Sequence, residues 1–551
     1  MPQLVLGPLL RYVDAEVATV WVQVDRPCEV EVRGVRERTF CVDGLHFALV
    51  VVRGQEGEYD VRLDGERVWP EPGSPFPAPS IRLLRADRAL DVVFGSCRIT
   101  RPHEPPFALR AHEHPDGQGV DALRAYALRA ARAGGGDALP DLMVMLGDQI
   151  YADQPSEALR AAYAARERPA DAPVDELADF QDYAMAYREA WSDPAIRWLL
   201  STVPVAMVFD DHEIHAEWRI SQDWLKELHA EPWFDRHLRA GLAAYWVFQH
   251  LGNLAPEELE AGGLYDLVRE ADDAGELLAA RMDTAGHQRG HSRWSFARDV
   301  GDARLVAIDS RAGRQVTPGD RKLISDDEWD WVEAQARTPA RHLLLASSVP
   351  FLLAPGLHHV EAFDEALADG ARGGAVGAWL GEKLRRVAVL DHWASFQQTF
   401  HRLAELLDHL SRGGEGDLRS IVLLSGDVHH CYLAEVGWRE RAAAPRVPVW
   451  QAVCSAFRKE LAPHERAVIG FGHSRTAERA ARWLSRAIGV ASLPLDWRVV
   501  ERPAYANQVA TLTLDGDACF LTVEAVEDDW RDPRLHVAFT RALAGGGARA
   551  T

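Results

Sequence analysis

The chain has 551 residues, 47% of them hydrophobic and 26% charged, with a formal net charge of −22. That length exceeds what one hydrophobic core serves, and the composition is that of a soluble globular protein. The acidic balance excludes a nucleic-acid surface, which needs clustered Lys and Arg, but not a phosphate-containing substrate, since bound cations can supply local positive charge. The N-terminal stretch MPQLVLGPLLRYVDAE lacks the basic start, apolar core and cleavage site of a signal peptide, and no apolar run reaches the length of a membrane span. A cytoplasmic location is therefore expected, with non-classical export as the other route.

Residues 1–84 read as short strands, at 17–24, 28–34, 46–54 and 58–65, separated by Gly and Asp-Gly turns. Such spacing predicts a small antiparallel β-sandwich. The Pro-rich stretch at 69–80 closes it. From 85 to about 530 strands alternate with helices. The strand candidates are 90–96, 141–147, 203–209, 303–309, 342–348 and 420–426, and the helices include 120–133 and 180–191. This is an α/β layout with a parallel or mixed sheet. Residues 221–295 form a Trp- and acid-rich helical excursion, and the Gly- and Ala-rich stretch 354–379, with His358-His359, reads as a loop over a site. Residues 471–490 predict one helix with Arg opposite Ala, Trp, Leu and Ile, which packs on the core or touches a membrane or partner. A hairpin turning at Asp515-Gly516 comes next, and residues 531–551 read as a C-terminal tail. The six cysteines are scattered and fit no zinc spacing, so free thiols are expected.

Four of the predicted strands end in residues of metal-ligand type: Cys97, Asp148 with Tyr151, Asp210-Asp211-His212-Glu213, and Asp427-Val428-His429-His430. Each has an ordinary explanation alone. An Asp after a strand caps a helix or turn, a Cys is a small buried hydrophobe, and paired Asp residues favour a helix start. Together they are hard to explain so. Adjacent carboxylates at the end of an apolar strand repel unless cations or strong donors hold them. Carboxylate, imidazole, thiolate and phenolate suit a transition metal, with oxygen-rich positions left for a harder ion. A bridging Asp between two ions sets up in-line displacement at phosphorus.

The ordered set GSC (95–97), GDQIY (147–151), DDHE (210–213) and GDVHH (426–430) resembles the PhoD-like alkaline phosphatase family of the calcineurin-like metallophosphoesterases. Asp309-Ser310-Arg311 and Asp391-His392-Trp393 add to the likeness. The resemblance implies an α/β fold of two mixed sheets flanked by helices, behind an N-terminal antiparallel sandwich resembling immunoglobulin or fibronectin domains. It also implies a phosphoric ester hydrolase, mono- or diesterase, attacking a small phosphate ester with a metal-bridging hydroxide. Asp148 would bridge the metals. Tyr151, Cys97 and His429 would bind Fe(III), Asp211 the second ion, and Asp427 would offer an oxygen favouring calcium. One or two Ca are implied, with Zn, Mn or Mg as alternatives, and His212 is the implied catalytic imidazole. One departure stands out: Ala216 and Glu217 occupy places where the family carries Asn, leaving Glu217, His215 or water to replace it. The alternative from another class is a non-catalytic scaffold on the same fold, binding a partner.

Overall fold

The computed structural model describes residues 1–287, 293–413, 417–439 and 447–545. The first strands form two four-stranded antiparallel sheets. One runs Leu4–Val13, Val17–Val24, Leu45–Arg53, Phe40–Val42, and the other Val35–Arg38, Glu29–Val32, Val61–Leu63, Glu66–Trp69. Leu4–Val13 was not expected as a strand. Its inward side chains, Leu6 and Leu9, join Trp21, Phe47 and Leu49 in the core.

Two central sheets carry the rest. In the six-stranded sheet Val205–Met207, Leu142–Met145 and Leu90–Gly95 run parallel, continued by the antiparallel Gln508–Asp515, Ala518–Val526 and Leu535–Ala544. In the seven-stranded sheet Ala303–Ile308, His342–Ser347, Ser420–Ser425 and Val449–Val453 are parallel, between antiparallel edges. The expected two mixed sheets flanked by helices are what the chain forms.

Period-two alternation explains the layering. Leu142, Val144 and Leu146 share one core cluster with Leu344, Ala346, Val422 and Leu424 of the other sheet. Met143 and Met145 turn the opposite way, into a cluster with helices such as Phe180–Trp191 and Phe234–Phe248. Leu343 and Leu345 likewise face Asp326–Ala336 and Gln397–Ser411 on the far side. The strands are buried on both faces, hence the unbroken apolar runs.

Several expectations are corrected. Residues 354–379 are not a loop: they enter the helices Pro355–Ala368 and Gly374–Ala388, with His358 wholly buried against Phe400 and Trp497. The helix expected over 471–490 is two, Pro463–Gly472 and Arg475–Ala487, broken where Ser474 caps the second by accepting from Ala477 N. The stretch expected as a tail carries the strand Leu535–Ala544, paired along Ala518–Val526, while 546–551 lie outside the described residues. The hairpin turns one residue later than expected, at Gly516-Asp517, because Asp515 pairs with Ala518. All six cysteines are free.

Candidate metal centre

The parallel strands deliver their C-terminal ends to one place, where open α/β sheets bind ligands. Cys97 comes after Leu90–Gly95, Asp148 after Leu142–Met145, and Asp210-Asp211 after Val205–Met207. From the other sheet, Arg311 comes after Ala303–Ile308, and Asp427 and His429 after Ser420–Ser425. Cys97, Asp148, Asp427 and His429 all hold left-handed backbone, with φ of 56°, 53°, 64° and 52°. Each costs about 1 kcal/mol or more in a non-glycine residue, and such conformations gather at functional sites. Gly147 has φ 117°, and a Cβ there would collide with the Asp210 carboxylate. Ser96 and Ser455 link the strand ends: their hydroxyls lie 3.1 Å apart, Ser96 Oγ accepts from Asp427 N and Ser455 Oγ from His429 N.

Two ligand groups meet on one residue. Donor atoms of Cys97, Asp148 and His429 lie within 4.8 Å of one another, and so do those of Asp148, Asp210 and Asp211. Asp148 belongs to both. Its Oδ2 accepts from the Tyr151 hydroxyl at 3.0 Å, whereas its Oδ1 is buried without a partner, as is Asp210 Oδ2. Buried carboxylate oxygens are seldom left so. These orphaned oxygens, beside a thiol, an imidazole and a phenol, fit one or more cations.

The electrostatics agree. Burial, with the charges of Asp148, Asp427 and Asp210, pushes the Cys97 thiol well up. Burial, with Asp148 and Cys97 close by, does the same to Tyr151. Asp148 rises to about 6, chiefly by burial, with Asp211 and Asp427 adding to it. Burial holds His429 down to about 3, leaving the neutral imidazole that ligation requires.

His212 stands beside this cluster, its ring centroid 4.5 Å from that of Tyr151. Its Nδ1 lies 2.8 Å from Asp153 Oδ1. Burial opposes a charged ring, but Asp153 and Asp148 outweigh it and raise His212 to about 9.

Asp427 joins neither ligand group. Arg311 Nη2 donates to its Oδ1 at 2.7 Å and His392 Nε2 stands 3.4 Å from its Oδ2. The same guanidinium donates to Asp210 Oδ1 at 2.6 Å, pairs with Asp391 and lies 3.5 Å from Asp211. Of the candidates to replace the Asn after DDHE, His215 turns to the Ala216 carbonyl at 2.9 Å. Glu217 donates its backbone N–H to Asp211 Oδ2 at 2.6 Å, again from left-handed backbone, φ 59°.

Sequence reading assigned no role to Asp153, Glu213 or Lys459. Glu213 accepts from Gln149 N at 2.8 Å and Asp210 N at 2.9 Å, tying the Asp148 and Asp210 loops together. Lys459 Nζ lies 4.1 Å from the centre of the Tyr151 ring. Asp153, within the same LMVMLGDQIYAD stretch as Asp148, was the one with a signal: a carboxylate five residues beyond the first.

The cluster at the strand ends of two mixed sheets, taken with the family match that follows, marks a metal-dependent phosphoesterase. A family model described as PhoD-like phosphatase matches residues 117–487, so the chain belongs to that family. A second model, a domain of unknown function named DUF7800, matches residues 1–81. Among solved structures the chain is similar to one described as the structure of PhoD, at 12% identity and a TM-score of 0.58, covering 99% of this chain and 93% of that one. It is also similar to purple acid phosphatase PPD1 from yellow lupin (Lupinus luteus) seeds, at 11% identity and a TM-score of 0.46, covering 98% and 74%. No curated protein matches the chain.

Proposed function

We propose that the protein hydrolyses small phosphate esters, mono- or diesters, with Fe(III) held by Cys97, Asp148, Tyr151 and His429. A second cation, calcium in the first instance, is held by Asp148 with Asp211 and Asp210. The observation that carries this is the sharing of Asp148 between two ligand groups, with its Oδ1 buried and unpartnered. Such cations supply Lewis-acid polarisation of the phosphoryl oxygens and activation of water.

The chain's own residues do the rest. His212, held by Asp153 in its protonated form, gives a proton from Nε2 to the departing ester oxygen. Arg311 fixes Asp210 and Asp427 at the edge of the cluster, each through its Oδ1. A non-catalytic scaffold would be marked by lost ligands; the altered segment at Ala216 and Glu217 is its one hint, while the presence of Cys97, Asp148, Tyr151, Asp211 and His429 supports the enzyme reading.

The test combines elemental analysis of the purified protein with turnover of nitrophenyl phosphate and bis-nitrophenyl phosphate. Stoichiometric iron plus a second metal, both lost in Asp148→Asn together with hydrolysis, is the expected result. Full activity in Asp148→Asn would sink the assignment.

A further inference from the structure

Among the described residues, ten of the fourteen exposed large hydrophobic side chains fall in two short stretches, 376–389 and 468–484. Chance scatter over the surface would not concentrate them so, and contiguous exposed apolar surface marks an interaction site.

The helix Gly374–Ala388 is amphipathic the wrong way round. Its buried residues are Gly377, Gly381 and Arg385, while Val376, Trp379, Leu380, Leu384 and Val387 point outward. The inward side is built for this. A Cβ on Gly381 would stand 2.6 Å from Ala368 N, so only glycine lets the helix lie on Pro355–Ala368. Arg385 pairs with Asp364 of that neighbour at 3.1 Å. The helix Arg475–Ala487 packs against the same neighbour by the same means. Its buried residues are Ala477, Ala481 and Ser485, a Cβ on Gly356 would stand 2.9 Å from Ala477 Cβ, and Trp483, Leu484 and the nearby Phe471 stay outside. Between the two helices, Val360, Phe363 and Leu367 of Pro355–Ala368 are half-buried.

The charge on this face runs against the rest of the chain. The whole sequence has 61 Lys and Arg to 83 Asp and Glu. Arg385 is buried on Asp364, Arg386 pairs with Glu227 and Arg482 with Glu478, which leaves Lys383, Arg475, Arg479 and Arg486 as the exposed charges of the two helices, all basic. Pro355–Ala368 between them adds only the buried Glu361, Asp364 and Glu365. Lys383 Nζ sits 4.7 Å from the centre of the exposed Trp379 ring. Because screening limits the reach of charge to about 8 Å at physiological salt, the local sign governs docking, not the total of −22. Two copies of the chain meeting here would oppose like charges. The segments outside the described residues, 288–292, 414–416, 440–446 and 546–551, contain no large apolar side chain to cover the face.

We propose that this three-helix face docks on an anionic lipid bilayer. Trp379, Trp483 and Phe471 enter the headgroup boundary, and Arg475, Arg479 and Lys383 meet the lipid phosphates. Outward tryptophan and leucine edged by Arg and Lys is the pattern of helices that lie in a membrane interface. The inference is independent of the metal centre: it concerns where the protein sits, not which bond it cuts.

The test is sedimentation of the full protein with vesicles containing phosphatidylglycerol and with vesicles of phosphatidylcholine alone. Wild type should sediment with the first and much less with the second. Trp379→Ser/Trp483→Ser should lower the bound fraction roughly tenfold or more, and Arg475→Glu/Arg479→Glu should remove its salt dependence. Both pairs are exposed, so melting temperature and turnover of a soluble nitrophenyl ester should stay at wild-type values. Failure to sediment with either vesicle would overturn the proposal, as would sedimentation that the Trp pair leaves unchanged. A dimer that the Trp substitutions dissociate, without vesicle binding, would assign the face to a second copy instead.

Discussion

Arg311 Nη2 lies 2.7 Å from Asp427 Oδ1, joining residues 116 positions apart, the guanidinium buried and the carboxylate partly exposed. The same guanidinium also meets Asp210 and Asp391. A buried cation facing several carboxylates repays its desolvation only while every partner is present. Removing it leaves the Asp210 carboxylate buried without a cation and takes one partner from Asp391, which keeps Arg314, and from Asp427, which keeps His392. Arg311→Met should therefore destabilise the fold by about 3–5 kcal/mol, read as a lowered urea midpoint. Arg311→Lys should recover only part of this, because an ammonium cannot match the planar fork of donors. A midpoint unchanged in Arg311→Met would show that the carboxylates are held by something else.

His212 and Asp153 make the second prediction. The imidazole at about 9 acts as a proton donor below that value and loses the role as pH rises through it. Asp153→Asn removes the partner that contributes most to the elevation, so the pKa falls toward the ordinary 6.5. The alkaline limb of the kcat profile should move down by about one pH unit or more, with kcat reduced roughly ten- to hundredfold and KM little changed. A loss of activity with the limb in place would make Asp153 a purely structural residue.

Most of the site was legible because parallel strands buried on both faces are plain apolar runs, and the polar residues at the C-terminal end of each run form the site. Asp148, Cys97, Asp211 and His429 were found that way. The order of the strands in two sheets was not legible, nor was the Arg311 web, since those contacts join segments far apart in the chain. The glycines of 354–379 misled in a specific way. Glycine in a Gly- and Ala-rich stretch signals a loop, whereas here Gly377 sits against the Arg372 carbonyl in the turn that opens the helix, and Gly381, just beyond, gives the close approach to Pro355–Ala368. The outward apolar side chains between them then had no visible partner, and the stretch read as irregular. Leu535–Ala544 was missed because it runs straight into the Gly- and Ala-rich ALAGGGARAT; its own Val537, Phe539 and Thr540 favour a strand, which pairs with Ala518–Val526.

Lys459 has no acidic side chain paired with it among the described residues; its ammonium lies 3.3 Å from Gln154 Oε1 and over the Tyr151 ring. A half-buried ammonium at the rim of an anion-processing cluster favours a phosphate ester by charge. Lys459→Met should raise KM about tenfold for a doubly charged monoester and less for a diester, with kcat nearly kept. Equal effects on both substrates, or a loss confined to kcat, would remove Lys459 from substrate binding.

The last prediction concerns stability. His250 is buried between the rings of Tyr245 and Trp294, with centroids at 6.1 and 4.9 Å, and its Nδ1 has no partner. Burial, reinforced by Arg293 and Arg11, holds its pKa down to about 3 from an ordinary 6.5. In that window the unfolded chain binds a proton that the folded chain refuses. The stabilising effect is thus complete above 6.5 and is lost as pH falls toward 3. The group adds a slope of about 1.4 kcal/mol per pH unit to the acid limb. His250→Phe keeps an aromatic ring between Tyr245 and Trp294 and removes the titration. Unfolding free energies measured by urea across this range should decline less steeply in the variant by about that slope. Parallel limbs in the two proteins would mean that His250 takes up its proton without unfolding.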